Sequence, residues 1–539
     1  MIAVVLFILL LIPLTAEAQS YDTLRMVRPI ATGAAGTGLH ASNRVYRAYQ
    51  GIEYNIHADA HGGVWPYTYS LSNAPAGMTI EVGPCTTIGP TCTAGTISWP
   101  NPTSTASNIV VTIRDKVGTE VSGTWSVTVS TTIGTGGFCF IDAASGNDTT
   151  GSGSLAAPYQ TLSKAHTSCG ATSILYLRAG TYSVGGGTAS APEDCRNRYI
   201  WTEASQPAIW IGYPGETVTV NFLSTGSADG YCVKMSGQNM WFDNFRMDNV
   251  GSIGFQLDDR LEYGIVARRI TGLDLLAGAD SLNSAFFMWA KYSAGYSYFD
   301  TVQNSTFSNI SLGAVALKVY TNIYGIYETS TYSDQADSTE VQGSSDGMIS
   351  LKVMARDYDV RGNTCTATVQ VCVGGNMNRS DAPSLLQTRG HIRHNLMLGS
   401  DGDTNEGSLT LTAGKIITPL TTQVYRNTFV GGRVLFANAV TGDGPYLFYN
   451  NVIVNAGGTG GSCPARLTCE SVTDYGVTTI GADNVQGAND GTIANATTGV
   501  LVGASRITYL GVAGFELLAS AGSGGVGGRG SFGGTGRLQ

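Results

Sequence analysis

A lysine stands inside an apolar run that has the character of a β-strand, Ile349-Ser-Leu-Lys352. The 539 residues include only 30 lysines and arginines, so a cation within such a run is uncommon. A lysine amine with a lowered pKa can remove the proton beside a uronate carboxylate, provided that a cation neutralises that carboxylate. The segment therefore predicts a base for the elimination reaction that cleaves acidic polysaccharides. In the alternative interpretation, the long stem of the lysine carries its ammonium group to solvent.

Acidic residues farther along the chain could hold a cation. Asp401 and Asp403, with Glu406, lie on a glycine-containing segment, and clustered oxygen ligands suit calcium, although the spacing of an EF-hand is absent. A glycoside hydrolase needs carboxylates that face one groove, and no Asp-Asp pair stands at the end of a convincing strand. We therefore expect a lyase rather than a hydrolase, with calcium as the candidate cofactor.

An asparagine recurs where short strand-like runs begin, between aliphatic or aromatic residues. The instances are Asn244, Asn304, Asn363, Asn395, Asn427 and Asn450. Asn363, Asn395 and Asn427 are 32 residues apart, and repeats of about 20–50 residues with a strand in each predict a solenoid. A propeller would need several strands in every repeat. Asparagine tolerates the left-handed backbone of a bend and its amides can form a hydrogen-bonded ladder, so we interpret these residues as structural.

The segment that opens the repeat region has the features of a cap. A strand and a Gly/Asp loop at 140–153 precede a short helix with Leu162 and Ala165 on its inner side, and a second strand follows at 174–182. This order resembles the N-terminal entry of pectin-lyase-like right-handed β-helices, in which a helix covers the open end of the solenoid. The resemblance implies an all-β fold with a right-handed parallel β-helix over 134–515, a scaffold that handles polysaccharides in many proteins.

The lysine segment itself resembles the I-S-x-K…R-x-N coil of the chondroitinase B and alginate lyase family. That resemblance implies that Lys352 is the base, that Asp346 binds a cation and that Arg361 belongs to the catalytic set. The family also has an L-T-L-R-H-G strand that supplies a catalytic arginine. The most similar strand here, at 409–414, has threonine and alanine at the Arg-His positions. If that strand fixes the register, the lysine position falls near Arg389, which is the alternative catalytic residue.

The region before the repeats predicts a small β-sandwich over 19–133, because strand-like runs alternate with turns. The runs cover 67–71, 95–99, 109–113 and 124–129. Their cadence resembles the Ig-like repeats of bacterial surface proteins, although the Cys–Trp–Cys core of a true immunoglobulin domain is absent. The resemblance implies a spacer module more than a binding module.

The two ends of the chain differ in composition from the rest of the sequence. The apolar run from Val4 to Leu14, with Ala16-Glu-Ala18 after it, predicts a secretory signal peptide over 1–18. An uncleaved anchor is the alternative, but the run is shorter than the roughly 20 apolar residues of a membrane span. No later segment is apolar enough to cross a membrane. The glycine-rich end, 516–539, is expected to be disordered.

The ten cysteines indicate an oxidising compartment, because six of them form close pairs as in disulfide-closed loops. The pairs are Cys85/Cys92, Cys365/Cys372 and Cys463/Cys469. The connectivity of the remaining four is left open: Cys139, Cys169, Cys195 and Cys232. We therefore expect a secreted or cell-surface protein.

The composition of the chain limits the classes of molecule that the protein could bind. A net charge of −9 argues against nucleic acid, whose binding needs a basic face. The first hypothesis is a polysaccharide-binding β-helix protein that cleaves uronate-containing glycans as a lyase. The second is a non-catalytic adhesin or structural rod. A tyrosine cluster could stack on sugar rings or pack within its own loop: Tyr320, Tyr324, Tyr327 and Tyr332.

Overall fold

The computed structural model describes separate stretches of the chain, and the structural statements below concern them alone. They are residues 22–32, 41–184, 199–202, 205–222, 231–237, 240–251, 253–257, 262–275, 285–289, 297–311, 314–320, 322–334, 347–352, 355–367, 371–376, 390–399, 407–412, 422–430, 434–437, 446–449, 452–455, 467–468, 479–480, 485–488, 493–495, 506–509 and 515–518.

The N-terminal module contains two main sheets around one apolar core. The four-stranded sheet contains β2 (Arg47–Tyr49), β9 (Glu120–Ser130), β8 (Ala106–Arg114) and β5 (Thr68–Ser72), in that order. The three-stranded sheet contains β3 (Tyr54–His57), β7 (Thr96–Trp99) and β6 (Thr79–Ile80), while β1 (Arg25–Arg28) pairs with β4 (Asp59–His61). A 3-10 turn, Arg44–Tyr46, precedes β2. Alternate residues of the facing strands, such as Ile97 and Val111, are fully buried, as two packed sheets require. The Ig-like assignment and the domain boundaries stay predictions.

The rest of the described chain is a parallel β-helix, which confirms the predicted all-β solenoid. Each coil pairs with the next through parallel strands in register, for example Ile174 with Ile209. The strands form three columns, which we call faces A, B and C. Alternation along every strand sends one set of side chains into a continuous core, because neighbouring residues of a strand point to opposite sides.

The strand bounds follow from these columns. Face A contains β10 (Phe138–Ile141), β11 (Ile174–Leu177), β14 (Ile209–Gly212), the first parts of β17 (Trp241–Val250) and β20 (Val266–Leu275), β23 (Thr301–Gln303), β27 (Ile326–Glu328), β30 (Tyr358–Arg361), β33 (Gly390–Arg393), β36 (Thr422–Tyr425), β39 (Tyr446–Tyr449) and β42 (Thr479–Ile480). Face B contains β12 (Gly180–Ser183), β15 (Val218–Asn221), the second parts of β17 and β20, β24 (Thr306–Ile310), β28 (Thr331–Asp334), β31 (Thr364–Ala367), β34 (Leu396–Gly399), β37 (Thr428–Val430), β40 (Val452–Asn455) and β43 (Val485–Ala488). Face C contains β13 (Tyr199–Thr202), β16 (Tyr231–Ser236), β18 (Ile253–Leu257), β21 (Ala285–Trp289), β25 (Val315–Val319), β29 (Ile349–Lys352), β32 (Val371–Asn376), β35 (Gly407–Thr412), β38 (Val434–Ala437) and β41 (Leu467–Thr468). The remaining strands are the small parallel sheet β19 (Glu262–Tyr263), β22 (Ser297–Tyr298) and β26 (Asn322–Ile323), β44 (Ile493–Asn495) antiparallel to β43, and the pair β45 (Arg506–Tyr509) and β46 (Phe515–Leu518).

The predicted cap is a helix, α1 (Leu162–Ser168), and both predicted inner residues are buried. Thr161 forms its N-cap by accepting a hydrogen bond from the Lys164 amide at 3.1 Å. A disulfide between Cys139 and Cys169 joins the first strand of face A to the end of α1. The Cys85–Cys92 and Cys365–Cys372 pairs are also confirmed, whereas Cys463 and Cys469 lie outside the described residues.

The bend from face A to face B explains the recurrent asparagines. One residue of each bend has a positive φ: Asn244, Arg269, Asn304, Thr329, Gly362, His394 and Arg426. In the later coils the next residue is a buried asparagine whose amide bonds to the one on the following coil. Asn363 Nδ2 donates to Asn395 Oδ1 at 3.0 Å, and Asn395 Nδ2 donates to Asn427 Oδ1 at 2.9 Å. The ladder and its structural role are therefore confirmed for Asn363, Asn395 and Asn427, where the preceding residue forms the left-handed bend. Asn244 and Asn304 form that bend themselves, and Asn450 lies outside the described residues.

Candidate functional site

The outward side of face A changes character along the solenoid. In the first coils its side chains are apolar and share a core with the N-terminal module: Phe138, Phe140, Ile174, Tyr176, Ile209, Ile211, Trp241 and Val266. Tyr49 of the module packs edge-on against Phe138 and Phe140, with ring centroids 5.1 and 5.0 Å apart. The module is thus docked on face A by ordinary apolar burial at this end.

Farther along, the outward residues of face A become polar and charged but remain buried. We call this set the covered stripe: Asp243, Arg268, Gln303, Glu328, Asp359, Arg361, His391 and Arg393. The N-terminal module supplies the partners that such burial requires. Arg268 donates to Asn55 at 2.7 Å, and His61 Nε2 donates to the Asp357 carbonyl at 2.5 Å.

The densest part of the covered stripe surrounds Asp359. Arg393 and Arg361, from adjacent coils, both pair with its carboxylate, and the nearest N···O distance of each is 2.5 Å. The Tyr67 hydroxyl of the module lies 3.0 Å from Arg361 Nη1 and 3.2 Å from Arg393 Nη2. Burial alone would disfavour the ionised carboxylate, but the two guanidinium charges outweigh it and hold the pKa of Asp359 well below its usual range.

His394 lies at the same interface, packed against the Trp65 ring with centroids 5.0 Å apart. Neither ring nitrogen has a hydrogen-bond partner among the described residues. Burial, together with the charges of Arg426, Arg393 and Lys116, holds the pKa of His394 well below its ordinary value. The imidazole is therefore neutral in the docked state.

Face B presents a different surface, because its outward residues are partly or fully exposed. The first row follows the strand register from coil to coil: Thr181, Thr219, Arg246, Thr271, Thr306, Thr331 and Thr364. A second row lies two residues along: Ser183, Asn221, Asp248, Leu273, Ser308, Ser333 and Thr366. Successive coils bring these groups about 4.8 Å apart, so face B is a flat, hydroxyl-rich strip. Its one described ion pair is Arg246–Asp248, at 2.6 Å.

The residues predicted for lyase chemistry are only partly within the described chain. Lys352 ends β29 on face C, where its backbone pairs with Asn376, but its side chain lies outside the described part. Arg389, Asp346, Asp401 and Asp403 lie outside the described residues altogether. Their catalytic and calcium-binding roles therefore stay predictions.

Arg361 is described, and it lies in the covered stripe. Its guanidinium pairs with Glu328 at 2.7 Å and donates to the Ala60 carbonyl at 2.9 Å. A glycan could reach Arg361 only if the N-terminal module moved away. Arg361 therefore holds the two modules together in this structure.

The tyrosine cluster divides between the core and the surface. Tyr327 and Tyr332 are fully buried in the solenoid, because they take inward positions of β27 and β28. Tyr324 stacks on Phe299 with centroids 5.2 Å apart, beneath the Arg25 guanidinium. A sugar-stacking surface made of all four rings is thus wrong, since strand alternation turns two of them inward.

Sequence reasoning missed the covered stripe. A signal was present: charged residues flank one aliphatic residue in Asp359-Val-Arg361 and His391-Ile-Arg393, in a chain with only 13% charged residues. Alternation on a strand puts both charges of each triplet on the outward side. The sequence could not show that this side is covered.

No protein-family model matches the chain, and no curated protein matches it. Among solved structures, pectate lyase Pel9A aligns with a TM-score of 0.37 at 13% identity, over 72% of this chain and 91% of its own. A GH136 lacto-N-biosidase from Eubacterium ramulus aligns with a TM-score of 0.29 at 8% identity, over 60% and 64%. A rhamnogalacturonan lyase aligns with a TM-score of 0.25 at 14% identity, over 60% and 83%. Identities this low carry no site residue over to this chain.

Proposed function

We propose that this protein binds an extracellular polysaccharide along face B. The observation that carries the proposal is a pair of partly exposed rows on a flat sheet, in which all side chains but Leu273 bear a hydroxyl, an amide or a charge. Sugars offer hydroxyl groups that donate and accept, and threonine and serine hydroxyls do the same. A parallel sheet repeats these groups at a fixed spacing, which suits a long repetitive ligand better than a small molecule.

The described part of face B has balanced charge, which favours a glycan held by many weak contacts rather than by ion pairs. Arg246 is the only cation of the first row, and its side chain is 42% exposed and paired with Asp248. We expect affinity to come from several hydrogen bonds, each contributing about 0.5–1.5 kcal/mol. A signal peptide over 1–18, as the sequence predicts, would deliver the protein to such a ligand.

The binding test uses polygalacturonate, alginate and chondroitin sulfate as probes in affinity electrophoresis. The Thr271→Val/Thr306→Val variant removes two face B hydroxyls that are in register, while valine keeps the β-branched shape that a strand favours. We expect its affinity to fall about fivefold or more. The control, Thr124→Val/Thr128→Val, changes exposed threonines of β9 and should bind as the wild type does. Equal retardation of all three proteins would refute binding through face B.

A second candidate function is β-elimination of uronate chains, which the Lys352 segment supports. In this proposal Lys352 is the base, with Arg389 as its partner, and Asp346 binds calcium, as do Asp401 and Asp403. Arg361 is not part of this proposal, because the N-terminal module covers it. Ultraviolet absorbance from new unsaturated ends, followed on the same probes with calcium, tests it. Turnover that disappears in Lys352→Ala supports a lyase. Binding without turnover leaves the non-catalytic adhesin as the function.

A further inference from the structure

Four potential metal ligands converge between the N-terminal module and the solenoid. The module contributes His57 at the end of β3 and Asp59 at the start of β4. Adjacent coils contribute Gln303 and Glu328, which pair in register on face A. All four side chains are at least nine-tenths buried, with exposures of 4, 1, 0 and 3% respectively. The ligand atoms of the histidine and the two carboxylates lie within 4.8 Å of one another.

Neighbouring groups aim these ligands at one point. The Nε2–H of His57 donates to the Ala94 carbonyl at 2.7 Å, and Nδ1 faces the cluster, 2.6 Å from Asp59 Oδ1. Arg28 lies 3.1 Å from Asp59 Oδ2, and Arg361 lies 2.7 Å from Glu328 Oε2. Each carboxylate therefore turns its other oxygen inward. Metal-binding histidines and carboxylates are oriented in this way by surrounding hydrogen bonds.

The Gln303 amide can supply a fourth ligand atom. Its terminal atom lies 3.1 Å from each of three acceptors, which are His57 Nδ1, Asp59 Oδ1 and Glu328 Oε1. With its nitrogen in that place, the amide shares its two protons among these atoms, of which His57 Nδ1 and Asp59 Oδ1 already lie 2.6 Å apart. The amide oxygen in the same place would make a set of four acceptor atoms around a shared point. A cation at that point would be bound by all four atoms.

We propose that His57, Asp59, Gln303 and Glu328 bind a divalent transition metal, zinc or manganese. One imidazole nitrogen with three oxygens suits these ions, whereas calcium prefers oxygen ligands alone. Bonds of about 2.1 Å in a tetrahedron put ligand atoms about 3.4 Å apart, close to the 3.1 Å separations found here. The His57 Nδ1 to Asp59 Oδ1 distance, 2.6 Å, is shorter than this and would have to widen around an ion. Burial on all sides makes the site structural.

The charges around the four ligands determine the metal affinity that we expect. Arg28 and Arg361 each neutralise one carboxylate of the set, so the ion adds charge to an already balanced interior. We therefore expect the metal to exchange and to be removed by a chelator. Because the ligands come from both modules, the metal fastens the N-terminal module onto face A.

The full-length protein is stripped with EDTA, dialysed and titrated with zinc, manganese or calcium chloride. We expect about one zinc or manganese ion per chain by elemental analysis. The melting temperature should rise by about 3 °C or more at metal concentrations far above the Kd. Calcium should have no such effect. A chain that binds neither zinc nor manganese, with an unchanged melting temperature, would overturn the proposal.

Two variants locate the ion. Gln303→Glu replaces the neutral ligand by a carboxylate and should tighten zinc binding at least tenfold. Glu328→Gln should abolish the thermal shift. His166→Gln, on α1, is the matched control and should bind as the wild type does. Full metal binding by Glu328→Gln, or an unaltered affinity in Gln303→Glu, would place the ion elsewhere and refute this site.

Discussion

Arg393 and Asp359, on adjacent strands of face A, form a two-pronged ion pair beneath the N-terminal module. Nε lies 2.9 Å from Oδ1 and Nη2 lies 2.5 Å from Oδ2, and both side chains are almost completely buried. The Gly63 carbonyl of the module accepts a further bond from Arg393 at 2.6 Å. The pair therefore links two coils of the solenoid and the module at once.

Breaking this pair should destabilise the protein strongly. Asp359→Asn leaves the buried guanidinium of Arg393 without its anion and Arg361 with Glu328 alone, at a cost of about 3–5 kcal/mol. Urea unfolding measures the loss. Arg114→Ala is the control, because Arg114 and Glu120 are exposed and 3.8 Å apart, and it should cost no more than about 1 kcal/mol. Similar losses in the two variants would show that the covered stripe does not hold the module.

Interrupting the asparagine ladder should also be costly. Asn395→Ala removes the bond to Asn427 and leaves the buried Asn363 amide with the Tyr327 carbonyl as its remaining acceptor, so we expect a loss of about 2–4 kcal/mol. Asn101→Ala, at an exposed position, is the matched control. The midpoint of urea unfolding checks both, and an Asn395→Ala midpoint within error of the control would contradict the structural role.

Asp300 gives the folding stability a pH dependence of known sign. It accepts bonds from the Ile265 amide at 3.2 Å and from Asn322 at 2.5 Å, and burial raises its pKa to about 7. The unfolded chain ionises near pH 4, so this group costs stability as pH rises from about 4 to about 7, by roughly 4 kcal/mol in total. Asp300→Asn should remove that slope.

Unfolding of wild type, Asp300→Asn and the exposed control Glu81→Gln at a series of pH values checks this sign. Glu81→Gln should keep the wild-type profile. An Asp300→Asn profile that still falls between pH 4 and pH 7 by the wild-type amount would assign the slope to other groups.

The Cys139–Cys169 disulfide should stabilise the capped end of the solenoid. Its loop spans a sequence separation of 30, for which chain entropy predicts about 3–4 kcal/mol. Cys139→Ala/Cys169→Ala should lower the melting temperature more than Cys365→Ala/Cys372→Ala, whose separation is 7. Calorimetry compares the two. A larger effect of the shorter loop would argue against this entropic account.

The sequence by itself determined the solenoid, its cap and the asparagine ladder. These depend on local periodicity: a 32-residue repeat, strand alternation and the two inward residues of α1. The Cys85–Cys92 and Cys365–Cys372 disulfides could be predicted for the same reason, since residues close in sequence are close in space. The fold class could therefore be predicted from short-range sequence patterns.

Only the tertiary structure decided which outward side of the solenoid is covered and which is exposed. His57 and Glu328 are far apart in the chain, and no local pattern states that the N-terminal module folds back onto face A. Arg361 shows the consequence, because the same charged residue would face solvent on an uncovered strand and is buried here. Docking is a property of two surfaces together, so the covered stripe and its metal-ligand set emerge only when both modules are in place.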